Sequence, residues 1–204
     1  MARPGKFICV GRNYREHAKE LGNEIPTTPL VFLKPISCVI GDGAEIVLPS
    51  DAGRVDFEGE IGVVIGSRLR KATPAECAAA VRGIVAVNDV SARDLQKSDP
   101  QWWRAKGYDT FGPIGPERVG KPDLKALEVV SRVNGLERQR GHTKDMVFPI
   151  DFLLSFISSA ITLEPGDVVA TGTPEGVGPL APGDLVEIEV VGWSKVRNTV
   201  VADA

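Results

Sequence analysis

The sequence holds little sulfur, few aromatic side chains and no long apolar run. Its three cysteines, Cys9, Cys38 and Cys77, are scattered and odd in number, which argues against a disulfide framework and fits reduced thiols in a cytosol. No two of them stand at metal-ligand spacing. No stretch approaches the ~20 apolar residues that a membrane-spanning helix requires. The segment Met1 to Lys6 is polar and carries no apolar leader core. A net charge of −3, with no basic run, gives no reason to expect a nucleic-acid partner. Charged residues make up 25% of the chain, close to the globular average, so disorder is not expected. A soluble cytoplasmic protein without membrane or nucleic-acid partners is the expectation.

What the chain does have is apolar material and punctuation. With 204 residues, 43% of them hydrophobic, it can bury one substantial core, and residues 1–204 read as a single domain. Twenty-two glycines and fifteen prolines divide it into many short segments, the texture of a β-rich fold. Phe7 to Val10, Leu30 to Leu33, Glu45 to Leu48 and Val168 to Ala170 read as strands, as does Leu185 to Val191. Val55 to Ile65 reads as one long strand, polar at its start and apolar at its end. Leu127 to Val133 and Leu136 to Gln139 flank Asn134-Gly135, a favoured two-residue hairpin turn. Asn13 to Leu21 reads as a helix that stops at Gly22. Thr73-Pro74-Ala75-Glu76 has the features of a capping box with proline at the first helical position. In Ile150 to Ile161 the helical rhythm puts Phe152, Leu153, Phe156, Ile157 and Ala160 on one face. The fold class predicted is α+β, mainly β, with a few short helices.

The chemistry concentrates in acids. In Asp56-Phe57-Glu58-Gly59-Glu60 the strand period of two projects three carboxylates to one side. The apolar Ile61 to Ile65 that follows carries the strand into the core, where such acids need compensation, and a hard cation supplies it. A solvated acidic edge strand fits the spacing equally well. Asp89, after the buried-type run Ile84 to Val87, adds a further acid, and Arg93, Gln96 and Lys106 follow it. A metal beside such donors describes a site for an anionic, oxygen-rich small molecule. Taken singly, Arg93 and Lys106 would be ordinary surface side chains. His17 and Glu20, three apart, share a face of the first helix. Such a pair suits a general base as readily as an exposed ion pair.

Five strings together carry a resemblance. They are Val10-Gly11-Arg12-Asn13-Tyr14, Pro29 to Pro35, Glu58-Gly59-Glu60, Asn88 to Gln96, and Thr171-Gly172-Thr173-Pro174-Glu175-Gly176-Val177-Gly178. In this order they resemble the fumarylacetoacetate hydrolase superfamily, especially its short single-domain branch of acylpyruvate hydrolases and oxaloacetate decarboxylases. The resemblance implies a mixed β-roll fold of the family's C-terminal-domain type, a homodimer, and one divalent metal, Mg²⁺ or Mn²⁺, per subunit. It puts the metal ligands at Glu58, Glu60 and Asp89, with Arg93, Gln96 and Lys106 as substrate and oxyanion groups. Thr173 is implied as a contact to a substrate carboxylate. Residues from about 11 to 28 correspond to a lid that brings His17 and Glu20 over the metal as catalytic base and orienting acid.

The chain departs from the acylpyruvase pattern at Asp56, where a histidine is expected. Asp56 therefore stands outside the ligand set, as a supporting or solvent-facing acid. His142 matches no catalytic position and is expected at the surface. The implied activity is carbon–carbon hydrolysis of an acylpyruvate-type substrate. The rivals are oxaloacetate decarboxylation, isomerisation of a 2-hydroxyhepta-2,4-diene-1,7-dioate-type diacid, and a non-catalytic keto-acid binder.

Overall fold

The computed structural model describes residues 3–20, 22 and 24–203. Its core is two sheets packed face to face. One has six strands in the order Arg118–Val119, Val81–Asn88, Gly59–Ile65, Val168–Ala170, Phe7–Gly11 and Leu30–Lys34. The other has five, in the order Leu136–His142, Glu128–Val133, Leu185–Val190, Ser194–Ala202 and Glu45–Leu48. Most neighbours are antiparallel, but Phe7–Gly11 runs parallel to Val168–Ala170 and Ser194–Ala202 parallel to Glu45–Leu48, so both sheets are mixed. Between them Ile8, Ile61, Val63, Ile84, Val129 and Ile188 are fully or almost fully buried. The expected mainly β architecture with short helices is the one observed.

The long strand expected over Val55 to Ile65 is broken in the middle. Val55–Phe57 joins a small sheet with Ser91–Ala92 and Gly178–Pro179, while Gly59–Ile65 belongs to the large sheet. Glu58 leaves the ladder because its backbone is taken up across the hairpin. Its carbonyl accepts from the Asp89 N–H at 2.8 Å, and its N–H donates to the Asn88 side chain at 3.0 Å. The register Gly59↔Asn88 and Glu60↔Val87 therefore brings Glu58 beside Asp89.

The first helix is shorter than expected, Arg15–Glu20, and Leu21 lies outside the described residues. Asn13 and Tyr14 are drawn into tertiary pairing instead: Tyr14 bridges Met146, and Asn13 binds Phe148 and Thr171. Gly22 adopts φ 67° and its N–H reaches the Lys19 carbonyl at 2.9 Å, the expected stop. Asn134 and Gly135 both have positive φ, 52° and 77°, as a tight hairpin turn demands. The strand after it extends past Gln139 to His142, and His142 itself is partly exposed.

Helix Ile150–Ala160 buries a different face from the expected one. Leu153 and Ile157 are inside together with Ile150, Leu154 and Ser158, whereas Phe152 and Ala160 are exposed and Phe156 is half-buried. The apolar arc is wider than the surface that covers it. Packing against helix Pro74–Ala80 and a hydrogen bond from the Ala72 N–H to Ser158 Oγ (3.1 Å) turn the helix. Phe148, Phe152 and Phe156 then stack along its outer side.

The capping box at Thr73 is formed as read: Thr73 Oγ1 accepts from the Glu76 N–H, and the Glu76 carboxylate accepts from the Thr73 N–H. Replacing Thr73 by alanine should lower the unfolding free energy by about 1 kcal/mol, read as a shifted denaturant midpoint. An unmoved midpoint would leave the cap without a stabilising role. All three cysteines are buried and free. Burial raises the pKa of each, that of Cys38 up to about 11 with the nearby Lys34 charge opposing. Roughly one Cys38 in a thousand is then thiolate at pH 8. Ellman's reagent should accordingly find almost no reactive thiol in the native protein and three after unfolding.

Candidate active site

Glu58 and Asp89 face one another across the hairpin, and Glu60 lies two residues along the same strand. One oxygen from each comes within 4.8 Å of the other two. All three residues are almost fully buried. The glycine between the glutamates is required, because a Cβ at Gly59 would run into Ser131 Oγ on the facing sheet.

The charges around these acids are unevenly shared. Lys106 Nζ donates to Glu58 Oε2 (2.7 Å) and to Asp89 Oδ2 (2.6 Å). Lys34 Nζ donates to Asp89 Oδ1 (2.5 Å) and to the Val90 carbonyl (3.2 Å). Arg93 pairs with Glu58 Oε1 (2.6 Å) and Asp56 Oδ2 (2.8 Å). Burial by itself would push the Glu58 carboxyl up, but Lys106, Arg93 and His17 outweigh it and hold it well below the usual carboxylate range. Glu60 has no cationic partner among the described residues; it accepts only the Gly172 N–H, at 2.7 Å. Burial, then the charges of Asp89 and Glu58, push its carboxyl well above the usual range. A buried acid short of positive charge, beside two more oxygen donors, fits a hard divalent cation. Glu58, Glu60 and Asp89 could hold one.

A cavity of about 530 Å³ opens over this floor, within the range of small-molecule sites. His17, Glu20, Glu58, Glu60, Arg93, Gln96, Lys106 and Thr173 all line it, and Asp89 lies beneath through Lys106. All nine residues singled out in the sequence are thus gathered in one place. His17 Nδ1 meets Glu20 Oε2 at 3.2 Å, and the Glu20 carboxylate accepts the Gly176 N–H at 3.0 Å. The first helix is thereby tied to the far rim. Arg93 Nη1 donates to Gln96 Oε1 at 3.0 Å, while its buried Nη2 has no partner. Thr173 donates its hydroxyl to the Gly59 carbonyl at 2.9 Å, so it ties the loop to the strand as well as lining the cavity.

Asp56 is neither a member of the triad nor solvent-facing. It is 1% exposed, and its carboxylate is held by Arg54 (2.7 Å) and Arg93 (2.8 Å). Its effect is to orient Arg93.

Three residues of this network escaped the sequence reading. Lys34 stood only inside an apolar string, although a lysine closing a buried strand before a proline was a signal. Gln139 fills all four of its hydrogen bonds: Gly59 N and Ser131 Oγ donate to its Oε1, and its Nε2 donates to Thr173 Oγ1 and the Pro174 carbonyl. Asn13 clamps the segment before the first helix to Thr171 and Phe148. A polar residue in a β-type run was the only local hint of Gln139, and Asn13 was read as the start of the first helix inside a family string.

A mixed β fold with a small-molecule cavity floored by three buried acids, flanked by fixed cations and a His–Glu pair, has the make-up of an enzyme site. Residues 6–201 match the family described as Fumarylacetoacetate (FAA) hydrolase C-terminal, and the chain belongs to this family. It is 42% identical over 199 residues to the mitochondrial oxaloacetate tautomerase FAHD1 of Arabidopsis thaliana, spanning 94% of this chain and 89% of that protein. It is also 42% identical over 200 residues to the 2,4-didehydro-3-deoxy-L-rhamnonate hydrolase of a Sphingomonas species, spanning 91% and 70%. Among solved structures, a 5-carboxymethyl-2-hydroxymuconate delta-isomerase from Mycobacterium smegmatis superposes with a TM-score of 0.92 at 45% identity, over 99% of this chain and 80% of that one.

Proposed function

We propose that the protein is a metal-dependent hydrolase that cleaves a carbon–carbon bond in 2,4-dioxo acids of the acylpyruvate type and releases pyruvate. The observation that carries this reading is the His17–Glu20 pair set in the wall of the cavity whose floor is the carboxylate triad. Glu58, Glu60 and Asp89 would hold Mg²⁺ or Mn²⁺, which when bound supplies Lewis-acid polarisation of the substrate carbonyl.

The remaining work falls to the chain's own groups. Arg93, Gln96 and the backbone N–H of Thr173, whose hydroxyl is already given to the Gly59 carbonyl, hold the carboxylate and 2-oxo end of the substrate. Glu20 accepts the His17 Nδ1–H, which leaves Nε2 as the basic nitrogen. Nε2 takes a proton from water while the water oxygen bonds to the distal carbonyl carbon. The bond between that carbon and the central methylene then breaks, and its electron pair stays on the methylene. Lys106 places positive charge beside the electron-rich fragment, and a returned proton makes it pyruvate. The other fragment leaves as a carboxylic acid.

The relatives favour one second reading, a tautomerase, isomerase or decarboxylase reaction on the same floor, which needs no attacking water. The deciding assay is pyruvate release from acetylpyruvate and from oxaloacetate with Mg²⁺, Mn²⁺ or EDTA. Metal-dependent turnover of acetylpyruvate is expected. His17→Ala should lower it by about a hundredfold or more with metal affinity retained by calorimetry. Full hydrolysis by that variant would remove His17 from the role of base, and turnover of oxaloacetate alone would transfer the site to the second reading.

A further inference from the structure

Gln139 stands on the strand Leu136–His142, 2% exposed, and has no part in the proposed chemistry. Its Oε1 accepts the Gly59 N–H at 2.9 Å and the Ser131 hydroxyl at 2.7 Å. Its Nε2 donates to Thr173 Oγ1 at 2.8 Å and to the Pro174 carbonyl at 2.7 Å. A backbone N–H only donates and a carbonyl only accepts, so the amide has one allowed orientation.

That orientation fixes Thr173 in turn. The Thr173 oxygen accepts from Gln139, and its hydrogen goes to the Gly59 carbonyl at 2.9 Å. The Thr173 N–H, by contrast, has no acceptor among the described residues, although the residue is buried and lines the cavity. A buried N–H without a partner is rare in a native fold, and it suits an anion brought in from outside.

The loop that carries this N–H is pressed onto the strand of Gln139. A Cβ at Gly141 would come within 2.6 Å of the Pro174 ring, and one at Gly176 would run into the Arg138 carbonyl. Among the described residues, the two bonds from Gln139 are the only hydrogen bonds between that strand and residues 173–176. Gly59 lies between Glu58 and Glu60, so the same amide ties the loop to the strand that bears two of the three acids.

We infer that Gln139 is a positioning residue that fixes the Thr173 N–H relative to the Glu58–Glu60 strand, and thereby the seat of the substrate carboxylate. This role rests on the reading that the Thr173 N–H takes that carboxylate. The carboxylate keeps its charge throughout the proposed reaction. Loss of its seat therefore shows in binding rather than in the chemical step.

Gln139→Met keeps the length of the side chain and removes all four hydrogen bonds. Pyruvate, titrated calorimetrically into the Mg²⁺-loaded protein, should bind this variant about tenfold more weakly than wild type. KM for acetylpyruvate should rise by about the same factor, with kcat changed by less than about threefold. Affinity for Mg²⁺ alone should change by less than about twofold, because the hairpin register holds the three acids independently. Ser131→Ala is the second variant if Gln139→Met fails to fold. Ser131 lies outside the cavity lining and reaches the loop only through Gln139, and its loss should weaken pyruvate by about threefold with the same pattern. Equal pyruvate affinity in wild type and variants would overturn the role of Gln139 and leave the carboxylate seat intact. Mg²⁺ affinity falling in step with pyruvate affinity would also overturn it, marking Gln139 as a general support of the fold. No pyruvate binding by wild type would overturn the carboxylate seat itself, and the role of Gln139 with it.

Discussion

Asp89→Asn should be the most damaging single change in this protein, to stability as well as to turnover. Asp89 is the shared partner of two buried ammonium groups, Lys34 at 2.5 Å and Lys106 at 2.6 Å. Removing its charge leaves Lys34 without a carboxylate and Lys106 with Glu58 as its remaining one; the asparagine Oδ1 can still accept from one ammonium, but the Nδ2 donor then faces the other. Breaking a buried pair on one side costs about 3–5 kcal/mol, because the remaining charge stays desolvated. A fall of that size in the unfolding free energy is expected from denaturant titration, along with at least a hundredfold loss of metal-dependent turnover.

The pH dependence carries the same cause. In wild type, Lys106 is disfavoured as a cation by burial, but Asp89 and Glu58 more than offset this and raise its pKa. Its contribution is present below the ordinary lysine pKa and is lost as pH rises from there through the raised native value. In the variant Lys106 is under-paired, the unfolded chain binds more protons, and stability should instead climb toward alkaline pH. A variant as stable as wild type, with the same alkaline slope, would show that Asp89 does not anchor the two lysines.

Glu60→Gln is expected to do the opposite to stability while abolishing function. The amide oxygen can still accept the Gly172 N–H, but the uncompensated charge is gone. Burial and the neighbouring Asp89 and Glu58 hold the Glu60 carboxyl well above its ordinary pKa. Its ionisation therefore destabilises the fold at pH values above its unfolded-state range, and that cost fades as pH falls. Without added metal, the glutamine variant should melt higher than wild type near pH 8, with the difference shrinking toward pH 4.

Added Mg²⁺ should reverse the order. A cation that binds only the folded state stabilises wild type by about 2.7 kcal/mol at a hundred times its dissociation constant, while the variant, one ligand short, gains little. Turnover should fall by about a hundredfold or more. If Glu60→Gln proved less stable than wild type without metal, the charge imbalance on this floor would have been misjudged. If Mg²⁺ raised both melting temperatures equally, Glu60 would not be a ligand.

The two variants differ by one carboxylate each, and only the third dimension separates them. In the sequence, Glu58, Glu60 and Asp89 are three acids near apolar runs, equal in kind. The hairpin register gives Asp89 two lysines, Glu58 a lysine and an arginine, and Glu60 no cation among the described residues.

What the sequence determined by itself is what short range controls. The period of two along Glu58-Gly59-Glu60 belongs to the strand backbone. The positive φ at Asn134 and Gly135 and the capping box at Thr73 are settled within four residues. The family motifs likewise held Glu58, Glu60, Asp89, Arg93, Gln96 and Thr173, and the resemblance they carry added His17, Glu20 and Lys106.

Tertiary structure alone decided the rest, because it depends on which distant surface arrives. The strand breaks at Glu58 because Asn88 and Asp89 take its backbone groups. Helix Ile150–Ala160 buries Ile150, Leu154 and Ser158 in place of Phe152 and Ala160 because helix Pro74–Ala80 lies against that side. Lys34 and Gln139 matter through partners 55 and 80 residues away. No local period can encode a hydrogen bond whose other end is supplied by a different strand.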